Sequence, residues 1–169
     1  MTYISQHCET IAIHGGSYRS DRSTNSVAVP IYQTTSYQFD NTAHASKLFA
    51  LQELGNIYTR IMNPTAQVLE ERLSEIEGGV AALGVSSGSS AVALAIQNVA
   101  SSGDNIVASP HLYGGTHNLF TNTLRQMGIE VRFADPSRPE NFADLSDEKT
   151  RAYFGETLPN PHLIPFPIA

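Results

Sequence analysis

The sequence has no tryptophan, one cysteine and only two lysines in 169 residues. A single cysteine, Cys8, excludes an internal disulfide, and a reduced, cytoplasmic setting is the expectation. Cys8 sits in a polar N-terminal segment and reads as a surface or packing residue, not as a catalytic thiol. There is no basic block, and the formal net charge is −6. That balance argues against nucleic acid and against anionic membrane surfaces as partners. No apolar run approaches the ~20 residues of a membrane span. The opening stretch, MTYISQHCETIAIHGG, has no basic region followed by an apolar core, so it does not read as a secretory signal. The six histidines, at 7, 14, 44, 111, 117 and 162, show no metal-ligand spacing.

The length is enough for one ordinary domain with a real core, and 41% hydrophobic with 15% charged residues is the balance of a soluble globular protein. Residues 1 to about 60 carry little compact α/β patterning. VAVPIYQTTSYQF is rich in β-branched and aromatic residues but contains Pro30, which predicts an extended arm or edge strand. AHASKLFALQEL predicts a short helix ending at Gly55. From Asn63 the pattern sharpens. Asn63 suits an N-cap and Pro64 the first helical position. Leu69, Leu73 and Ile76 form an apolar stripe, and Gly78-Gly79 stops the helix. Beyond it the pattern predicts strands near 81–86, over NIVAS, over IEVRFAD and over KTRAYFGE. Helices are expected from about Ser89 to Ala100 and near 114–127, the second with Leu119, Phe120, Leu124 and Met127 on one side.

Strands alternating with helices predict an α/β fold with a parallel-rich sheet covered by helices on both faces. The expected division is an arm with a short helix over 1–62 and an α/β domain from 63. Ligands in such folds gather at the C-terminal ends of the strands. That places 86–90, 109–115 and 156–161 near one rim.

The stretch GVSSGSS, residues 84–90, is a strand-to-helix turn that admits several chemistries. GVSSG fits the nucleophile elbow of a serine hydrolase, with Ser86 as nucleophile. Such an enzyme also needs an acid and a histidine; His162 follows in the right order, but Gly88 and Ser89 are left unexplained. A nucleotide P-loop needs a lysine where Ser89 stands, and the G-x-G-x-x-G dinucleotide fingerprint is absent. Backbone N–H groups of Gly88, Ser89 and Ser90 at a helix start suit a phosphate dianion. The plain alternative is a helix cap by Ser87.

The turn is accompanied by NIYTRIMNPT (56–65), LYGGTHNLF (112–120) and ETLPNP (156–161). With these motifs, in this order, the chain resembles the Cys/Met-metabolism family of pyridoxal-phosphate (PLP) enzymes across essentially its whole length. GNIYTRIMNPT, EGGVAAL, IHGG at 13–16 and FALQELGN resemble most its O-acetylhomoserine sulfhydrylase branch.

The resemblance implies the PLP-dependent transferase fold of the aspartate aminotransferase type and pyridoxal 5′-phosphate as cofactor. It assigns Tyr58 and Arg60 to the cofactor phosphate of a neighbouring subunit, in a homodimer or homotetramer. Gly88 and Ser89 would give N–H groups to the same phosphate, which makes Ser86 no nucleophile. Tyr113 would stack on the pyridine ring and move a proton at the substrate. Asn160 would bond the 3′ oxygen of the cofactor, supported by Glu156. The implied substrates are a small amino acid, O-acetyl-L-homoserine, and sulfide; the products are L-homocysteine and acetate. Methionine γ-lyase and cystathionine synthase or lyase chemistry are the alternatives within the family.

The family also needs a lysine for the cofactor's Schiff base and an acid at its pyridine nitrogen. In the family both follow the E-T-x-x-N-P segment, and this sequence stops eight residues after Pro161. Lys47 and Lys149 read as solvated surface lysines. The expectation is the first part of a longer enzyme; the alternative is a non-catalytic remnant without its Schiff-base lysine.

Overall fold

A computed structural model describes residues 5–168. Contacts group the chain into two compact units, Met1–Gly84 and Val85–Ala169.

The first unit holds α1 (Cys8–His14), α2 (Thr42–Phe49) and α3 (Pro64–Ile76). α3 starts as its sequence dictates: Asn63 is extended, its side chain accepts the Thr65 N–H, and Pro64 opens the helix. It ends at Glu77, followed by Gly78 at φ +66°. The stripe expected to be buried is not. Leu69 is 56% exposed and Leu73 44%, while Val68 is buried. α3 packs instead by polar latches to the N-terminal segment. Glu71 accepts the Ser17 N–H at 2.6 Å and the Ser17 hydroxyl at 2.8 Å, and Arg72 Nε donates to the Gly15 carbonyl at 3.3 Å. These bonds tie α3 to the residues before it, within the first unit.

α2 ends at Phe49, six residues before Gly55, the end expected from sequence. The Gln52 N–H reaches back to the Lys47 carbonyl at 2.9 Å, with Leu51 left-handed at φ +55°. That closure usually falls to glycine.

The second unit holds α4 (Gly88–Val99), β1 (Asn105–Ala108), α5 (Gly114–Asn118), β2 (Glu130–Phe133), α6 (Glu140–Asp144) and β3 (Thr150–Phe154). α5 runs into a π-helical turn over Leu119–Leu124. The sheet is parallel, in the order β2-β1-β3. β1 is buried along its whole length, as a central strand must be. On one face Ile106 and Ala108 meet Ile96 and Ala100 of α4 and Phe120 and Leu124 of the π-turn. On the other, Arg132, Val107 and Tyr153 lie in register. There α6 packs: Phe142 meets Tyr153 edge-on at 5.8 Å, and the Leu145 carbonyl accepts Arg132 Nη1 at 3.0 Å. Helices therefore cover both faces of a parallel sheet, as the alternating pattern predicts.

The strand expected near 81–86 does not form. A strand exists only by pairing, and none of the three strands pairs with this segment. Val80 and Leu83 stand exposed on it.

Candidate functional site

Ser87 is the cap of α4. Its Oγ accepts the Ser90 N–H at 3.1 Å and faces the Ser90 hydroxyl at 2.9 Å. The Ala91 N–H goes to the Ser87 carbonyl. The N–H groups of Gly88 and Ser89 meet no acceptor among the described residues. They project from the start of a 12-residue helix, where the helix dipole adds positive potential. A Cβ placed at Gly88 would have nothing within 4 Å, so the approach to these two donors is open. Ser87 thus satisfies the third amide and leaves the first two without an acceptor among the described residues. Ser86, just ahead, is exposed, follows no strand, and has no hydrogen bond to a histidine among the described residues. The elbow geometry of a hydrolase is absent.

The other two rim segments meet directly. The Glu156 carboxylate accepts the Tyr113 N–H at 2.9 Å, and the Ser109 N–H donates to the Phe154 carbonyl at 2.9 Å. These bonds bind the loop after β1 to the end of β3. Tyr113 precedes α5, and its ring is 52% exposed. A Cβ at Gly115 would sit 2.7 Å from Tyr113 Cε1, so this glycine makes room for the tyrosine's own ring. Asn160 is exposed, between the buried Pro159 and a cis bond to Pro161. Behind it, His162 lies edge-on to His111 with ring centroids 5.9 Å apart. At the end of β2, the Ser137 hydroxyl and N–H hold the Asp135 carboxyl below the usual carboxylate range. The histidine pair was not marked by spacing, because 51 residues separate its members.

In the first unit, Tyr58 and Arg60 lie in a turn. Tyr58 bridges to Ser36 in antiparallel fashion, and the Ile61 and Met62 N–H groups return to its carbonyl at 2.9 and 3.0 Å. The exposed Arg60 guanidinium lies 5.9 Å from the centre of the Tyr58 ring. Both side chains stand on one side of one turn, which is what a shared anion would require.

The pattern of the Cys/Met metabolism PLP-dependent enzymes matches residues 9–166. The chain belongs to that family. O-acetyl-L-homoserine sulfhydrylase of Leptospira meyeri is 57% identical to it over 161 residues, covering 95% of this chain and 36% of that protein. O-acetyl-L-homoserine sulfhydrylase 1 of Thermus thermophilus is 55% identical over 156 residues, covering 92% and 37%. A solved structure described as an O-acetylhomoserine (thiol)-lyase of Campylobacter jejuni, carrying a pyridoxyl-lysine monophosphate, superposes with a TM-score of 0.87 at 44% identity. That match covers 96% of this chain and 39% of the other. Cystathionine γ-lyase of Lactobacillus plantarum, solved with L-serine, gives 0.80 at 28% identity over 94% and 39%. The chain thus spans little more than a third of the length of these relatives.

The cofactor of this PLP-dependent family is pyridoxal phosphate, and the donor set suits it. Two unpaired helix-start N–H groups match a phosphate dianion, and an exposed phenol ring stands on the rim of the same unit. Among the described residues of the second unit, no lysine stands at that rim. Lys149 immediately precedes β3, at the opposite end of the strand from Glu156, and its N–H is held by Asp147 at 2.9 Å. Lys47 is in the last turn of α2, in the first unit. No helix among the described residues is long and apolar enough to cross a membrane.

Proposed function

We propose that these residues serve a PLP-dependent γ-replacement, in which O-acetyl-L-homoserine and sulfide give L-homocysteine and acetate. The observation that carries the proposal is the 55–57% identity to two bacterial O-acetyl-L-homoserine sulfhydrylases, spread over more than nine-tenths of the chain. Residues 63–169 form the first part of the cofactor domain in this reading, and the chain works as part of a longer enzyme.

When bound, pyridoxal phosphate supplies an electron sink for charge developing at the substrate's α-carbon. The chain's residues divide the remaining work. Gly88 and Ser89 donate their N–H groups to the phosphate. Tyr58 and Arg60 reach the phosphate of a neighbouring subunit, which requires a homodimer or a homotetramer. Tyr113 covers one face of the cofactor ring and its phenol moves a proton at the substrate. Glu156 fixes the Tyr113 backbone, and Asn160 donates to the 3′ oxygen of the cofactor. Lys149 lies at the far end of β3 from that rim, and Lys47 is on α2 in a stretch unlike the family's Schiff-base motif, so in this reading the Schiff-base lysine comes from outside these residues.

A second activity is supported by the 0.80 superposition on a cystathionine γ-lyase. The deciding assay gives the gene's full product sulfide with O-acetyl-L-homoserine, and separately cystathionine or methionine alone. Homocysteine and acetate from the first mixture support the replacement. Release of ammonia and a 2-oxo acid from the others, with no homocysteine from the first, overturns it. Borohydride reduction of the gene's full product with its resident cofactor should place the pyridoxyl group on a lysine outside residues 1–169; stoichiometric pyridoxyl on Lys47 or Lys149 would overturn the external-lysine assignment.

A further inference from the structure

Residues 30–35 pass the start of α3 through two tight turns, with the Gln33 N–H on the Ile31 carbonyl at 3.1 Å and the Thr34 N–H on the Tyr32 carbonyl at 3.0 Å, and side chains meet their backbone. Thr65 Oγ1 donates to the Pro30 carbonyl at 2.8 Å and accepts the Tyr32 N–H at 2.9 Å. Asn63 Nδ2 donates to the Tyr32 carbonyl at 2.9 Å. Thr59 Oγ1 donates to the Thr34 carbonyl. The carbonyls of Pro30, Tyr32 and Thr34 thus meet the side chains of Thr65, Asn63 and Thr59, in reverse chain order. Asn63 Nδ2 also reaches Thr59 Oγ1 at 3.3 Å, and the Thr59 N–H donates to the Thr35 carbonyl at 2.8 Å. Thr59 lies between Tyr58 and Arg60. Its side chain and its amide both anchor to residues 34–35, so the two flanking side chains are held by the residue they flank.

We propose that Thr59, with Asn63 behind it, is a positioning residue that clamps the Tyr58–Arg60 turn for its anion. This rests on the phosphate role given to Tyr58 and Arg60 above. It assigns the threonine inside the Y-x-R stretch and the asparagine of N-P-T to one device. Asn63 is then both the cap of α3 and the link between that helix and the turn: its Oδ1 serves the Thr65 N–H and its Nδ2 serves the clamp.

The test compares T59V, which keeps the shape and loses the hydroxyl, with T59S, which keeps the hydroxyl, and with R60A. Two readouts are taken on the full chain: amide hydrogen exchange at Thr59, Ile61 and Met62, and equilibrium binding of pyridoxal 5′-phosphate. Loss of one hydrogen bond is expected to speed exchange at these amides by about three- to tenfold in T59V, with β1 amides unchanged and T59S near wild type. Pyridoxal phosphate binding weakens in T59V and is restored in T59S. Unchanged exchange in T59V overturns the clamp. Faster exchange with unchanged binding, where R60A weakens binding, overturns the positioning role. If R60A and wild type bind alike, or neither binds, the phosphate role of Arg60 falls, and the exchange readout alone decides whether the clamp exists.

Discussion

Asn105 and Asp147 are joined by a 2.7 Å hydrogen bond from a buried amide on the central strand to a half-exposed carboxylate ahead of β3. The same amide's oxygen accepts the Thr150 hydroxyl at 2.7 Å, and Arg132 Nη1 lies 2.8 Å from the Asp147 carboxylate. One buried asparagine thereby satisfies its polar ends while stitching β1 to β3, and Arg132 brings in β2.

This link sets an acid limit. The Asn105 amide, then Arg132 and the Lys149 N–H, lower the Asp147 pKa from 3.8 to about 2. Between those values the unfolded chain binds the proton and the folded chain does not. Stability is therefore fully present above about pH 4 and falls as pH drops toward 2. Asp21, lowered to about 2 chiefly by the Ser23 hydroxyl, and Asp104, lowered chiefly by Arg151, act in the same direction. Denaturation midpoints should be alike at pH 7 and 5 and then fall in order at pH 3.5, 3 and 2.5, and D147N should flatten part of that fall while starting lower at pH 7. A flat wild-type profile across the window would contradict this.

Glu156 should matter to the loop before it matters to chemistry. E156A leaves the Tyr113 N–H without its carboxylate and is expected to cost about 1–2 kcal/mol. E156Q, which keeps an acceptor, should cost less. Exchange of the Tyr113 amide is the local readout; equal protection in E156A and wild type would remove Glu156 from the role of holding this loop.

At α4, cap and cradle separate by mutation. S87A should destabilise by about 1 kcal/mol through the lost bond to Ser90. G88A meets open space and, at a helical position, should stabilise by about 0.5–1 kcal/mol. Yet its methyl stands beside the two amides proposed for phosphate. Thermal melting and pyridoxal phosphate titration of G88A should therefore move in opposite directions. If both improve, the amides of Gly88 and Ser89 are not the phosphate site.

Leu69 and Leu73 on α3, with Val80 and Leu83 beyond it, leave large apolar side chains in water. Expressed alone, the chain should associate with itself, seen as a concentration-dependent size in light scattering. A sharp cooperative melt from a strict monomer would go against that expectation.

Much of this architecture is legible in local chemistry. Asn63-Pro64 marks the start of α3, Ser87-Gly88 the start of α4, and Gly128, at φ +79°, the stop after the π-turn. α1 was not legible. Its N-cap, His7, makes no side-chain capping bond, and Glu9 alone stands for the first-turn charge. α2 ends on a leucine in the left-handed region, a conformation that costs leucine energy and that no composition rule would place there. The π-turn keeps Phe120 and Leu124 buried much as an α-helix would, so periodicity does not reveal it.

The sequence by itself determined what is local: the caps of α3 and α4, the period of the three strands, the serine-glycine turn at 86–90, and the motif set that marks the family. Tertiary structure decided what depends on partners distant in the chain. The segment at 81–86 has the residues of a strand and is none, because strand hydrogen bonds must be made by a neighbour. Glu156 reaches Tyr113 across 43 residues, and Thr59 reaches Thr34 across 25. Hydrogen bonds over such spans depend on how elements pack, and packing leaves no period in the sequence.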